Sequence, residues 1–304
     1  MSGQKKQKMS FTNYQLTSDN FSDLYRMSNK AVLEHGIETQ PRNLKIRELI
    51  NVSLTLTNPR NRVLASSVRK HSNAYACGEL LWYLRGSESL DELAFYSDRL
   101  REYSDDGKTL NSAYGARIFG MHKDFPNQWK NVVDKFLQDT DTRQAVININ
   151  YAQDQNRVTK DVTCTLALQY LIRENKLYAI TTMRSNDSAM GQIYDVFCFT
   201  MLQEMLLFRL KQYKKFDTLE LGAYIHNVNS FHLYETFFDT IKSCLTEIDI
   251  SKDMEELKEC ELNSLQSAER CLRLYNEKID ESKFDGAWRW VATQLNKKLR
   301  KDNE

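Results

Sequence analysis

The chain carries almost no excess charge of either sign. Its 304 residues hold 42 Lys and Arg against 41 Asp and Glu, for a formal net charge of +1. Binding to nucleic acid or to an anionic membrane surface usually needs a basic field, so neither partner is expected. No apolar run approaches the ~18 residues that a membrane span requires. The opening residues MSGQKKQKMS are basic but lack the apolar segment of a secretory leader. Residues 1–18 are therefore expected to form a disordered tail, and the protein to be cytoplasmic. The six cysteines (Cys77, Cys164, Cys198, Cys244, Cys260 and Cys271) form no CxxC pair, and no histidine stands at metal spacing from one. No metal site is expected, and reduced thiols are the default without a leader. Repeats and low-complexity blocks are absent as well.

Hydrophobic residues make up 41% of the chain and aromatics 11%, enough for a sizeable core. Residues 19–36 read as a helix, with Asp19 a possible N-cap and Gly36 a stop. Residues 44–57 alternate apolar and polar, which predicts a strand ended by Asn58-Pro59. Residues 73–85 form an apolar helix closed by Gly86, and further helices are expected over 88–103 and 127–139. A short buried strand is expected at 145–149. Strands over 163–173 and 176–183 are joined by Glu174-Asn175, a hairpin signal. Tyr194–Lys211 is apolar nearly all round, so it reads as a buried central helix. A strand at 217–228 and a helix at 230–246 follow. Hairpin strands around a central buried helix imply an α+β fold, a mixed sheet with helices packed on it. The domain is expected to span 19–250. Beyond it, 251–304 is charged, with sparse apolar residues, and reads as an appended helical segment.

The chemistry concentrates between Asp161 and Asp195. Cys164 is a candidate nucleophile if a positive neighbour draws its proton off, and otherwise a structural thiol. Arg184-Ser185-Asn186-Asp187 sets a cation beside three short hydrogen-bonding side chains, either an anion clamp or a polar loop. Glu79 interrupts the apolar helix CGELLWYL, so it is either salt-bridged or a cavity-lining carboxylate raised toward acid/base use. His232 and Tyr234 share a strand face, a grip for a sugar hydroxyl or a structural pair.

Six motifs in order resemble the thymidylate synthase family over roughly residues 20–245: ELLWYLRG at 79–86, NSAYGARIF at 111–119, DTRQAVI at 141–147, TCTLALQY at 163–170, RSNDSAMGQIYD at 184–195 and SFHLY at 230–234. Within it the chain looks most like the phage deoxycytidylate hydroxymethylases, from CTLALQYLIRENK, from RSND for RSCD, and from aspartate at 195 for asparagine.

The resemblance implies a thymidylate synthase-like fold and a role for each matched residue. Cys164 matches the nucleophile that adds to C6 of the pyrimidine, Glu79 the glutamate that organises proton transfer, and Tyr114 the tyrosine that supports C5 proton loss. Arg184 and Ser185 match phosphate ligands, with Asn186 beside them, and Arg42 the arginine of the phosphate loop. Arg143 matches an arginine that reaches across a homodimer. Gln169 matches a glutamine beside the nucleotide, and His232 and Tyr234 the pair on the 3′-hydroxyl. Asp187, Gly191 and Glu79 face the folate, 5,10-methylenetetrahydrofolate being the one-carbon donor. Phe95 and Tyr96 lie near where the synthases set a tryptophan against it.

Asp195 implies cytosine, because a carboxyl can accept from the 4-amino group and share a proton with N3. The chain departs from the synthases at Arg143-Gln144, where they carry Arg-Arg, and at Thr163-Cys164-Thr165 for Pro-Cys-His. Its polar end, ATQLNKKLRKDNE, replaces a short apolar closing tail.

The implied reaction turns dCMP, methylenetetrahydrofolate and water into 5-hydroxymethyl-dCMP. CMP or dUMP hydroxymethylation, dTMP synthesis, and a non-catalytic nucleotide- or RNA-binding protein on the same fold are the alternatives. A modified cytosine suits a phage working in its host's cytoplasm, or a nucleoside natural product.

Overall fold

The computed structural model describes residues 14–120, 126–156, 158–248, 251–258 and 262–299. In chain order the elements are β1 (Tyr14–Ser18), α1 (Phe21–His35), β2 (Ile37–Thr39), β3 (Ile46–Leu56), α2 (Asn73–Arg85), α3 (Leu90–Ala94), α4 (Tyr114–Phe119), α5 (Gln128–Gln138), β4 (Val146–Asn148), β5 (Thr165–Arg173), β6 (Lys176–Asp187), α6 (Gly191–Leu210), β7 (Glu220–Tyr234), α7 (Phe238–Cys244), α8 (Leu262–Tyr275) and α9 (Gly286–Asn296). The strands form one mixed sheet in the order β1-β3-β7-β6-β5-β4, with β2 also on β3. β1–β3 and β6–β7 are parallel, and the remaining pairs antiparallel. The α+β reading with a mixed sheet holds.

Local chemistry accounts for the elements that carry the site. Ser72 caps α2 by accepting from Tyr75 N–H, and Gly86 ends it in the left-handed conformation that glycine adopts most cheaply. The β5–β6 hairpin turns on Glu174 and Asn175, with φ of 48° and 57°, the two left-handed residues of a type I′ turn. α6 is buried on every side, from Val196 through Phe199 and Leu202 to Leu210, because the sheet lies beneath it and α2 and α5 pack on it. Among the described residues no helix is long and apolar enough to cross a membrane.

Four expectations need correction. Tyr14–Ser18 is not tail: it pairs with Val52–Leu56 as an edge strand, and residues 1–13 lie outside the described ones. The cap of α1 is Asn20, whose side chain accepts from Asp23 N–H, rather than Asp19. The helix expected over 88–103 breaks after Ala94 and resumes as a 3-10 turn at Asp98–Glu102. The helix expected from 230 starts only at Phe238: residues 230–234 extend β7, paired to β3 on one side and β6 on the other, and these long-range ladders override local preference.

The segment beyond 251 is packed rather than appended. Leu265, Leu272, Ile279, Phe284, Trp288, Val291 and Leu295 are all buried, and α9 lies on α2. The apolar residues are few but fall in one stripe, Leu265–Leu272–Ile279 and Trp288–Val291–Ala292–Leu295. Glu269, fully buried, joins this segment to the rest: its carboxylate accepts from Arg85 (2.9 Å), Arg273 (2.7 Å) and the Tyr96 hydroxyl (2.7 Å). Removing it would leave two largely buried guanidinium groups to share Glu92 alone and the Tyr96 hydroxyl without its acceptor. Glu269→Ala is expected to cost about 3 kcal/mol in urea unfolding; a loss under about 0.5 kcal/mol, the level of surface substitutions, would show the network to be peripheral.

Candidate active site

Cys164 sits one residue before β5, partly exposed. Three contacts hold it. Arg184 on β6 donates its backbone N–H to Cys164 O (2.9 Å), and its guanidinium to Thr163 O (2.8 Å) and Val162 O (2.9 Å). The same Nη2 stands 3.7 Å from the Cys164 sulfur. The Tyr114 hydroxyl accepts the backbone N–H of both Cys164 and Thr165 at 3.2 Å, and its ring lies against Tyr83 and Phe199. Burial pushes the thiol up, and Arg184 opposes that shift. Asp195 and Asp161 raise it further, while Arg42 lowers it. The cation expected beside the thiol is present, but desolvation outweighs it and the resting sulfur is protonated.

Among the described residues Glu79 on α2 has no salt-bridge partner. It accepts from the Tyr75 hydroxyl (2.9 Å), and Cys198 Sγ lies 3.8 Å from its other oxygen. Burial pushes its pKa up to about 7, against the two hydrogen bonds that stabilise the charge. A carboxyl that is half protonated at neutral pH can both give and take a proton. Both supports went unnoticed in the sequence, although Tyr75 stands at i−4 on the same helix and Cys198 only three residues past Asp195. Glu79→Gln is expected to lower turnover about 100- to 1,000-fold and to remove a limb near pH 7 from the pH–rate profile. It also has a stability signature. The folded pKa lies above the ordinary 4.5, so the folded state holds its proton more tightly and wild-type stability falls as pH rises from about 4.5 to 7. The glutamine variant should therefore melt higher than wild type above pH 7, with the gap closing below pH 4.5.

Asp195 lies one turn into α6 and is pushed well above the carboxylate range, first by burial and then by the nearby charge of Glu79. Asn186 on β6 donates to its Oδ2 at 2.7 Å. Gly191, the first residue of α6, makes room for that contact, since a Cβ there would stand 2.9 Å from the Asn186 amide nitrogen. Behind Asn186 the sequence reading missed two groups. His226 Nε2 is 3.2 Å from Asn186 Oδ1, and the Tyr224 hydroxyl is 2.8 Å from His226 Nδ1. Burial pushes His226 down to about 3, so it is neutral.

The Cys164 thiol and the Glu79 and Asp195 carboxyls therefore share one neighbourhood: the thiol feels the charge of Asp195, and Asp195 that of Glu79. Comparison with known proteins decides the family: the profile described as "Thymidylate synthase" matches residues 23–280. The chain belongs to the thymidylate synthase family. It is 31% identical over 210 residues to a deoxyuridylate hydroxymethyltransferase of Delftia phage PhiW-14, covering 65% of this chain and 56% of that one. It is 30% identical over 232 residues to the protein of the same name from Bacillus phage SP01, covering 73% and 59%. Thymidylate synthase 1 of Bacillus spizizenii matches at 22% over 236 residues, 73% of this chain and 82% of that one. The chain thus spans a little over half the length of the phage relatives. The names of these relatives specify deoxyuridylate, where the motifs of this chain imply deoxycytidylate.

The remaining residues matched to the family fall into four groups. Asp187 and His232 are register partners on β6 and β7, and His232 packs edge-on against Tyr234 with ring centroids 5.2 Å apart. Asp187 Oδ1 caps the turn into α6, accepting from Ala189 N–H (2.8 Å) and Met190 N–H (3.1 Å). Ser185 is next to it, opposite Ser230. Arg42 belongs to an exposed turn, where it and Asn43 hold left-handed φ of 52° and 62°, yet its charge reaches Cys164. Gln169 and Arg143 are not brought to the thiol of their own chain. Gln169 lies five residues along β5, ~17 Å in extended strand, with its amide on the Arg143 carbonyl (3.0 Å), and Arg143 is exposed. Tyr96 is spent on Glu269, so its hydroxyl faces the C-terminal segment, with Phe95 packed edge-on to it.

Proposed function

We propose that the protein transfers a one-carbon unit to C5 of a pyrimidine deoxynucleotide, with dCMP as substrate and 5-hydroxymethyl-dCMP as product. The observation that carries this reading is the raised, Asn186-bound carboxyl of Asp195 in the same neighbourhood as the Cys164 thiol. Cys164 gives up its proton and its sulfur adds to C6 of the base. The charge released spreads over C5 and the N3–C4 edge. A protonated Asp195 donates to N3, where that charge collects, and its other oxygen accepts from the 4-amino group. With the phosphate drawn to Arg184 and Arg42, the sugar meets His232 and Tyr234. Tyr114 holds the backbone at the nucleophile and stands where water can carry the C5 proton away.

The site residues suit a folate. The hydrogen bonds described for Asp187 all fall on Oδ1, which leaves Oδ2 for the N–H donors of a pterin, beside Gly191. When bound, 5,10-methylenetetrahydrofolate supplies the one-carbon unit at the oxidation level of formaldehyde. Glu79, poised near pH 7, holds the water that becomes the new hydroxyl and takes its proton.

The phage relatives' names favour a second reading, dUMP as the substrate. A homodimer is part of the proposal: Leu171, Tyr178, Ile180, Leu221 and Ile225 form a half-covered apolar strip on the sheet face turned away from α6, and exposed Arg143 lies beyond it. Tritium release from C5-labelled dCMP, CMP and dUMP, each with methylenetetrahydrofolate, tests the substrate. The reading stands if dCMP exchanges fastest, and fails if dUMP does.

A further inference from the structure

A neutral carboxylic acid is an ambiguous reader of a pyrimidine. It has one donor and one acceptor oxygen, and it satisfies cytosine with the two in one order and uracil with them reversed. Asp195 can select only if something fixes which oxygen carries its proton. Directly behind it runs a chain of hydrogen bonds with no solvent contact. Thr181 and Tyr224 are 3.0 Å apart, Tyr224 and His226 Nδ1 2.8 Å, His226 Nε2 and Asn186 Oδ1 3.2 Å, Asn186 Nδ2 and Asp195 Oδ2 2.7 Å. Thr181, Tyr224, His226 and Asn186 are all buried. Tyr224 and His226 alternate along β7 and so point to the same side, and Thr181 is the register partner of His226 on β6.

Each link restricts the next. Asn186 presents its amide nitrogen to Asp195 and its oxygen to His226. His226 is neutral, so it must carry its one proton on Nε2 and accept at Nδ1. The Tyr224 hydroxyl, which can also donate to Thr181 at 3.0 Å, then commits its proton to Nδ1. Every donor points toward Asp195. Its Oδ2 is held as an acceptor, and a proton on Asp195 belongs on Oδ1.

We propose that the buried chain Thr181–Tyr224–His226–Asn186 fixes the proton of Asp195 on one oxygen and thereby makes that carboxyl a directional reader of the base. Tyr224 and His226 are positioning residues that touch no substrate. The proposal rests on the reading that Asp195 faces the base edge, but not on which base is preferred.

The test compares kcat/KM for dCMP and dUMP in wild type, Tyr224→Phe, His226→Phe and His226→Gln. Tyr224→Phe frees His226 to change tautomer and Asn186 to flip, so the dCMP-to-dUMP ratio should move toward one by about tenfold. Most of that change should lie in kcat, because the proton on Asp195 matters most as charge develops on the base. His226→Phe should do the same. His226→Gln, whose amide can still donate to Asn186, should stay within about threefold of wild type. An unchanged ratio in both phenylalanine variants overturns the proposal. If wild type prefers dUMP, the cytosine reading falls, while a shift of that ratio toward one still supports the relay. Should the variants fail to fold, 15N NMR of wild-type imidazoles decides: a proton on His226 Nε2 supports the chain, and a proton on Nδ1 overturns it.

Discussion

Cys164→Ser is expected to lower tritium release from C5 of the substrate about 10,000-fold or more while leaving the fold intact. The geometry gives the reason. The thiol is held above its ordinary range by burial, and Arg184 only partly offsets this from 3.7 Å. A sulfur in that setting still yields its proton within reach, but a serine hydroxyl, far less acidic, does not. The substitution removes one polarisable atom and keeps the shape. The contacts to Thr163, Val162 and Tyr114 all run through backbone atoms, so they survive. Nucleotide binding should persist with little change in affinity. A variant that binds and still exchanges tritium near the wild-type rate would rule out attack by this sulfur.

Asp195→Asn should reverse base preference, raising the dUMP-to-dCMP ratio of kcat/KM by about 1,000-fold or more, measured with both nucleotides in one competition assay. An asparagine oxygen accepts from N3–H and its amide donates to O4, so the uracil edge is fully met once Asn186 turns its own oxygen to that amide. Cytosine then places its amino group against a donor, and the mismatch is unpaired and desolvated. The same variant carries a stability signature. The Asp195 carboxyl is raised in the folded state, so its contribution is present below the unfolded pKa and is lost as pH rises toward the folded value. The variant should melt above wild type at neutral pH and match it in acid. An unchanged base preference would show that Asp195 does not face the base.

Motifs carried the site further than periodicity carried the fold. Cys164, Arg184, Tyr114, Glu79 and Asp195 converge from four elements and the residue before β5, and each was legible because it stands in one of the six motifs. Tyr224 and His226 were not, because an alternating strand reads the same whether its inward side chains are packing or relaying hydrogen bonds. The end of β7 looked helical, since no Gly or Pro interrupts 230–246, and only pairing with β3 and β6 makes it strand. Composition misled most beyond residue 251. A charged surface there hides one narrow apolar stripe, and Glu269, a charge by count, proves to be the buried hub for Arg85, Arg273 and Tyr96. Gln169 and Arg143 were read from the motifs alone, and the fold sets them against each other along β5, away from Cys164.

The most direct test of the account is the mass of the product formed from dCMP, methylenetetrahydrofolate and the purified protein. The account predicts a nucleotide heavier by one formaldehyde unit, with its new oxygen drawn from labelled water. A product heavier by only a methylene, or product from dUMP and none from dCMP, would contradict it.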